Sequence, residues 1–102
     1  MAEIEVRDVP AADRFEVHVD GKLAGFAVYR RAPGLIDFLH TEVDPEFGGQ
    51  GVGSALVREA LAAAADEDLA VIPHCPFVRA YLQRHPELVA LVPEDRRAQF
   101  GL

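Results

Sequence analysis

The chain has 102 residues, half of them hydrophobic and 26% charged, with a single cysteine and no tryptophan. That length suits one domain with one core; the lone Cys75 excludes an internal disulfide and a multi-thiolate zinc site, and no apolar run approaches the roughly 20 residues of a membrane span. The net charge of −7, from 17 acidic and 10 basic residues, argues against nucleic acid as the main partner, because phosphate contacts need a basic surface.

Residues Met1 to Asp8 carry acids between apolar residues and do not resemble a signal peptide, so a single domain over residues 1–102 in the cytoplasm is expected. Glu3 to Val9 sets Ile4 and Val6 against Glu3, Glu5 and Arg7, the period-two pattern of a half-buried strand. Pro10 to Asp13 is a turn. Arg14 to Val19 alternates again, with Phe15, Val17 and Val19 on one face and Arg14, Glu16 and a solvated His18 on the other. Asp20-Gly21 is a two-residue hairpin turn. Leu23 to Arg30 is apolar on both faces and reads as a central strand. Pro33-Gly34 fits a type II turn, and Leu35 to Val43 is the fourth strand of an antiparallel meander.

Asp44-Pro45 closes that strand, and a glycine-dense loop follows over Phe47 to Gly53. Val52, Leu56, Val57, Ala60, Leu61, Ala64 and Ala65 mark a helical stripe. It ends near Asp66-Glu67-Asp68, where three acids oppose the helix dipole. Ala70 to Ile72 is a short strand closed by Pro73. Pro76 fits the first turn of a second helix, with Phe77, Val78, Tyr81 and Leu82 inward and a stop at His85-Pro86. Glu87 to Val92 reads as one or two further helical turns, and Glu94 to Leu102 as a polar, partly loose tail. Strand, loop, helix and strand in this order make a right-handed βαβ unit with parallel strands. The expected fold class is therefore α+β with a mixed sheet: a four-strand meander, a parallel βαβ unit and C-terminal helices.

The strongest chemical signal is Gly48-Gly49-Gln50-Gly51-Val52-Gly53-Ser54. Glycines remove side chains where a backbone approaches a guest closely, and a loop opening a helix presents free amides and the dipole to an anion. A nucleotide-hydrolysing P-loop is excluded, since Ser54 stands where its lysine belongs. The dinucleotide fingerprint fails as well, because its third glycine would fall on Ser54 or Leu56. The plain alternative is a glycine-rich turn that only caps the helix.

Val43-x-Pro45-x-x-x-Gly49-x-Gly51-Val52-Gly53 resembles the acetyl-CoA loop of the GNAT N-acetyltransferase superfamily, whose pattern is Val-x-Pro-x-x-Arg/Gln-Gly-x-Gly-x-Gly/Ala. Gly48 stands where the family usually has Arg or Gln. A second set of residues resembles a small single-domain GNAT subgroup: His40-Thr41-Glu42-Val43, Pro73-His74-Cys75-Pro76-Phe77-Val78, Tyr81, and Arg84-His85-Pro86-Glu87. That subgroup lacks the two helices that larger members insert between their first two strands, and only Pro10 to Asp13 stands there in this chain. The resemblance implies a minimal GNAT fold and an acetyl-CoA-dependent N-acetyltransferase. It implies that Gly48, Gly49, Gln50, Gly51, Val52, Gly53 and Ser54 bind the pyrophosphate of coenzyme A. By the same resemblance Thr41, Glu42 and Val43 bind its pantetheine arm through the backbone.

Acetyl transfer to an amine needs a proton acceptor for the amine and benefits from a proton donor for the leaving thiolate. Glu42 and His40 are two apart, so they share one face of the fourth strand while Thr41 points the other way. They are candidate bases, against the plainer readings of a surface acid and a sheet-face histidine. Tyr81 matches the position of the family's frequent general acid, against a core tyrosine. Cys75 sits at the predicted start of the second helix, where a thiolate is favoured. It is an acetyl-accepting nucleophile, a neighbour of the thioester, or a small buried hydrophobe. His74 and His85 lie near Cys75, but no further ligands are spaced for zinc, and no metal is expected.

These residues lead to a transferase that moves acetyl from acetyl-CoA to a small-molecule or peptide amine by direct attack. The expected state is a monomer or weak dimer without nucleic-acid or membrane partners. A non-catalytic coenzyme A-binding module shares the same loop, and a ligand-free interaction domain is the third reading.

Overall fold

The computed structural model describes residues 3–102; Met1 and Ala2, the start of the segment read above for a signal peptide, lie outside the described residues. Five strands form one mixed sheet in chain order: β1 (Ile4–Val9), β2 (Arg14–Val19), β3 (Lys22–Ala32), β4 (Leu35–Val43) and β5 (Ala70–Pro73). The first four pair antiparallel, and β5 runs parallel to β4. Helix α1 (Val52–Asp66) connects β4 to β5, and α2 (Pro76–Arg84) follows β5.

Local chemistry fixes the meander. Asp20 and Gly21 both adopt positive φ (50° and 83°), the requirement of a tight hairpin turn whose twist matches the strands it joins. β3 is central, as its two apolar faces require. The core gathers Phe15 and Val17 of β2, Ala27 and Tyr29 of β3 and Phe38 of β4 with the buried stripe of α1: Val52, Leu56, Val57, Ala60, Leu61 and Ala64. Ala65, expected in that stripe, is exposed.

One of the three acids at the end of α1, Glu67, has a partner from the sheet. Arg31 of β3 reaches Glu67 at 3.2 Å and Asp8 at 2.7 Å. A guanidinium at the carboxyl end of the helix offsets the unfavourable dipole contact.

Three expectations need correction. Phe77 is not inward but 39% exposed. Val78, Tyr81 and Leu82 form the buried i, i+3, i+4 stripe of α2, and Phe77 lies about 100° off it. The tail is not loose: short 3₁₀ turns at Glu94–Arg96 and Ala98–Phe100 fold back and bury Phe100 in the core. His18 is not solvated. Its side chain is largely covered, Nε2 lies 3.6 Å from Glu16, and Nδ1 is buried without a hydrogen-bond partner among the described residues.

Candidate active site

β4 and β5 part company after four residue pairs. Leu35 to Phe38 pair with Ala70 to Pro73, and the Cys75 amide still donates to the Phe38 carbonyl at 2.8 Å. Beyond Phe38, β4 continues to Val43 with no strand on that side among the described residues. A bulge marks the fork: Tyr29 pairs with Phe38 and Val28 with His40, which leaves Leu39 as the extra residue. A bulge bends a strand and increases its local twist, so it carries the end of β4 away from β5.

The fork exposes a defined backbone edge. The Asp44 amide donates to the Ala24 carbonyl of β3 at 2.8 Å. Antiparallel ladders alternate, so Glu42 and His40, paired with Phe26 and Val28, also turn their main-chain groups toward β3. Thr41 and Val43 turn theirs to the open side of the fork.

Side chains sort by the same parity. Thr41 pairs with Ala27 and Val43 with Gly25, on the face that carries Phe38 and Tyr29. Thr41 Oγ1 lies 3.3 Å from Cys75 Sγ across the fork. Cys75 is 2% exposed and is the N-cap residue of α2. On the opposite face, His40 Nε2 lies 3.0 Å from Glu42 Oε1, and both side chains are exposed. The structure thus forms two pairs, Thr41 with Cys75 and His40 with Glu42, on opposite sides of β4.

The loop reaches α1 through a 3₁₀ turn at Pro45–Phe47, capped by the Asp44 carboxylate on the Glu46 amide at 2.9 Å. Gly49 and Gly51 take positive φ (78° and 72°), where L side chains are strained. Gly51 is the N-cap of α1, without a side-chain cap and with no acid in the first turn. The first amides of a helix have no acceptor within it, so the positive end of this 15-residue helix is free for an anion. Gln50 and Ser54 are exposed there. Gly53 has a different reason to be glycine. A Cβ at this position would stand 2.6 Å from Cζ of Phe77 and 3.3 Å from Cγ2 of Val43. Its missing side chain lets the starts of α1 and α2 meet.

Tyr81 is buried at 5% exposure, with its ring stacked 4.2 Å from that of His85. Among the described residues no hydrogen bond joins its hydroxyl to Cys75, His40 or Glu42.

Asp37 was not among the residues singled out by sequence. It is 3% exposed, accepts from His74 Nδ1 at 2.8 Å, and lies 3.5 Å from Arg30. A buried carboxylate is costly unless paired, and its partner is the residue beside Cys75. His74 also packs edge-on against Phe100 at 5.3 Å. Asp37 therefore ties the junction of β5 and α2 to β4.

The family model described as GCN5-related N-acetyl-transferase matches residues 14–92, most of the chain. The chain belongs to the GCN5-related N-acetyltransferase family. Membership in this GNAT family carries acyl transfer from an acyl-CoA, and the five-stranded α+β sheet with its β4–β5 fork is consistent with the GNAT fold. Among curated proteins none matches this chain. In this GNAT chain no helix is long and apolar enough to cross a membrane, and among the described residues no group of three His, Cys, Asp or Glu side chains gathers to hold a metal.

Proposed function

We propose that this protein transfers an acetyl group from acetyl-CoA to a primary amine by direct attack. The observation that carries the proposal is the fork itself: an unpaired edge at Thr41 and Val43 leads from the uncapped start of α1 to the Thr41–Cys75 contact. Bound acetyl-CoA would supply a thioester-activated acetyl group, released to the amine as the coenzyme leaves with a free thiol.

The chain's own groups divide the work. Amides from Gly49 to Ser54 hold the pyrophosphate, the Gly48 amide being taken by the Pro45 carbonyl at 3.0 Å, with Gly49 and Gly51 shaping the loop and Gly53 making room for Phe77. Main-chain groups of Thr41 and Val43 hold the pantetheine arm; Glu42, expected among these contacts, turns its main chain toward β3. Its side chain, with His40, accepts the proton of the incoming ammonium. Tyr81 donates to the leaving sulfur. Cys75 lines the end of the fork, and its burial and its Thr41 partner favour a neighbour of the thioester over a nucleophile.

Calorimetry with acetyl-CoA, followed by thiol release with a panel of primary amines, tests this reading. Binding in the micromolar range and amine-dependent thiol release are expected. No binding at millimolar acetyl-CoA would overturn it, and binding without transfer to any amine would leave a coenzyme A-binding module.

A further inference from the structure

Beside the fork, on the β3 side of β4, lies a cleft of about 490 Å³. That is within the size range of small-molecule sites. Its apolar walls include Leu23, Phe26, Val43 and Pro45, and its charged groups are Glu42 and Asp44. Leu23 is 41% exposed, an apolar side chain turned to solvent at the cleft mouth.

Neither carboxylate has an ion pair with a Lys or Arg among the described residues. Glu42 engages His40, and Asp44 accepts the Glu46 amide. Lys22 pairs with Glu46 at 2.7 Å and feels the Asp44 charge only at longer range. The cleft lining therefore combines apolar surface with two carboxylates and no cation. Past Phe26 the charge is balanced: the Arg14 guanidinium sits 4.5 Å over that ring and is paired with Glu16 at 2.8 Å.

The cleft is continuous with the proposed chemistry. Glu42 lines it and touches His40, Phe26 lies 6.5 Å from the His40 ring, and Val43 belongs to both the cleft and the open edge of the fork. We propose that this cleft is the acceptor site, and that the acceptor is a singly charged primary amine carrying an aryl or branched alkyl group. The ammonium sits between Glu42 and Asp44, and the apolar body lies on Leu23 and Phe26. A polyamine gains nothing here, since a second ammonium extended past Phe26 finds Glu16 already paired with Arg14 and its polar chain leaves Leu23 and Phe26 uncovered. The inference rests on the acetyltransferase reading for its functional meaning, but the binding it predicts is measurable without the coenzyme.

The test is an amide-shift titration of the full chain with 2-phenylethylamine, phenylacetate and spermidine, beside calorimetry with acetyl-CoA. 2-Phenylethylamine is expected to shift the amides of Leu23 to Phe26 and Glu42 to Asp44, and phenylacetate to leave them in place. Spermidine should bind at least fivefold more weakly. Leu23→Arg, at an exposed position, should weaken 2-phenylethylamine at least fivefold and leave acetyl-CoA affinity unchanged. Equal binding of phenylacetate or spermidine, or shifts elsewhere only, overturns the proposal. So does indifference to Leu23→Arg. If the amine binds here and acetyl-CoA does not bind at all, the acetyltransferase reading fails and the cleft stands as an amine site.

Discussion

Thr41 Oγ1 and Cys75 Sγ approach to 3.3 Å across the gap where β4 and β5 separate. The contact joins a strand residue to a helix N-cap far away in sequence, at the end of the proposed coenzyme channel. It gives the thiol a polar partner in a buried position and marks the narrow end of the fork.

A covalent and a direct mechanism differ most at this pair. Under direct attack, Cys75→Ala should keep turnover within about tenfold of the parent, because no bond to sulfur forms. Its stability should fall by about 1 kcal/mol, the ordinary effect of a small core truncation. Thr41→Val should behave alike. Initial rates of thiol release and urea melts measure both. A folded Cys75→Ala protein with no turnover would establish the thiol as the acetyl carrier.

The loop glycines should separate by mutation according to geometry. Gly51→Ala places a Cβ on a residue with φ of 72°, and such left-handed backbone costs about 1 kcal/mol. Gly53→Ala meets the far end of Phe77, a half-exposed ring free to swing aside, while the helix gains about 1 kcal/mol over glycine. Gly53→Ala should therefore stay within about 0.5 kcal/mol of the parent, and Gly51→Ala should fall below it. Urea denaturation of the two variants decides. A larger loss at Gly53 would mean that Phe77 is held in place.

Much of this architecture is legible in the sequence because its signals are local. Strict alternation delimits β2 at the residues observed, Pro33-Gly34 and Asp44-Pro45 bound β4, and the turn at Asp20-Gly21 and the start of α1 at Val52 follow from turn and helix chemistry. What escapes is decided by distant chain. Asp37 is a lone acid in the apolar stretch Leu35 to Leu39; it is buried against His74, which itself packs on Phe100 of the returning tail. The bulge at Leu39, which opens the fork, leaves no local signature, since it depends on how β3 pairs with β4. Pairing of Thr41 with Cys75 follows from that bulge and was equally hidden.

Asp37 and His74 make an asymmetric pair. Removing the imidazole leaves a carboxylate that is 3% exposed with only Arg30 at 3.5 Å. Asp37→Asn keeps an acceptor for His74 Nδ1 and removes the buried charge. His74→Ala should therefore cost about 2 kcal/mol and Asp37→Asn about 1 kcal/mol. The double variant should cost less than the sum, because the residues share one interaction. Thermal or urea melts of all four proteins complete the cycle. Additive losses would show that the hydrogen bond carries no coupling.

Gly48 offers a gain-of-function test of the cofactor loop. It stands where the resembling acetyl-CoA loops carry Arg or Gln, and its backbone (φ −59°, ψ 141°) is open to any residue. A Cβ there lies 3.2 Å from the Pro45 carbonyl, so the turn must yield by a few tenths of an ångström. Gly48→Arg would add a charge-assisted donor to an anion site that this chain builds from amides alone. Acetyl-CoA should bind about tenfold more tightly, equivalent to about 1.4 kcal/mol. The gain should shrink as ionic strength rises, since an exposed guanidinium is screened. Calorimetry at low and high salt reads both effects. An unchanged affinity, or a gain indifferent to salt, would place the pyrophosphate elsewhere than on residues 48–54.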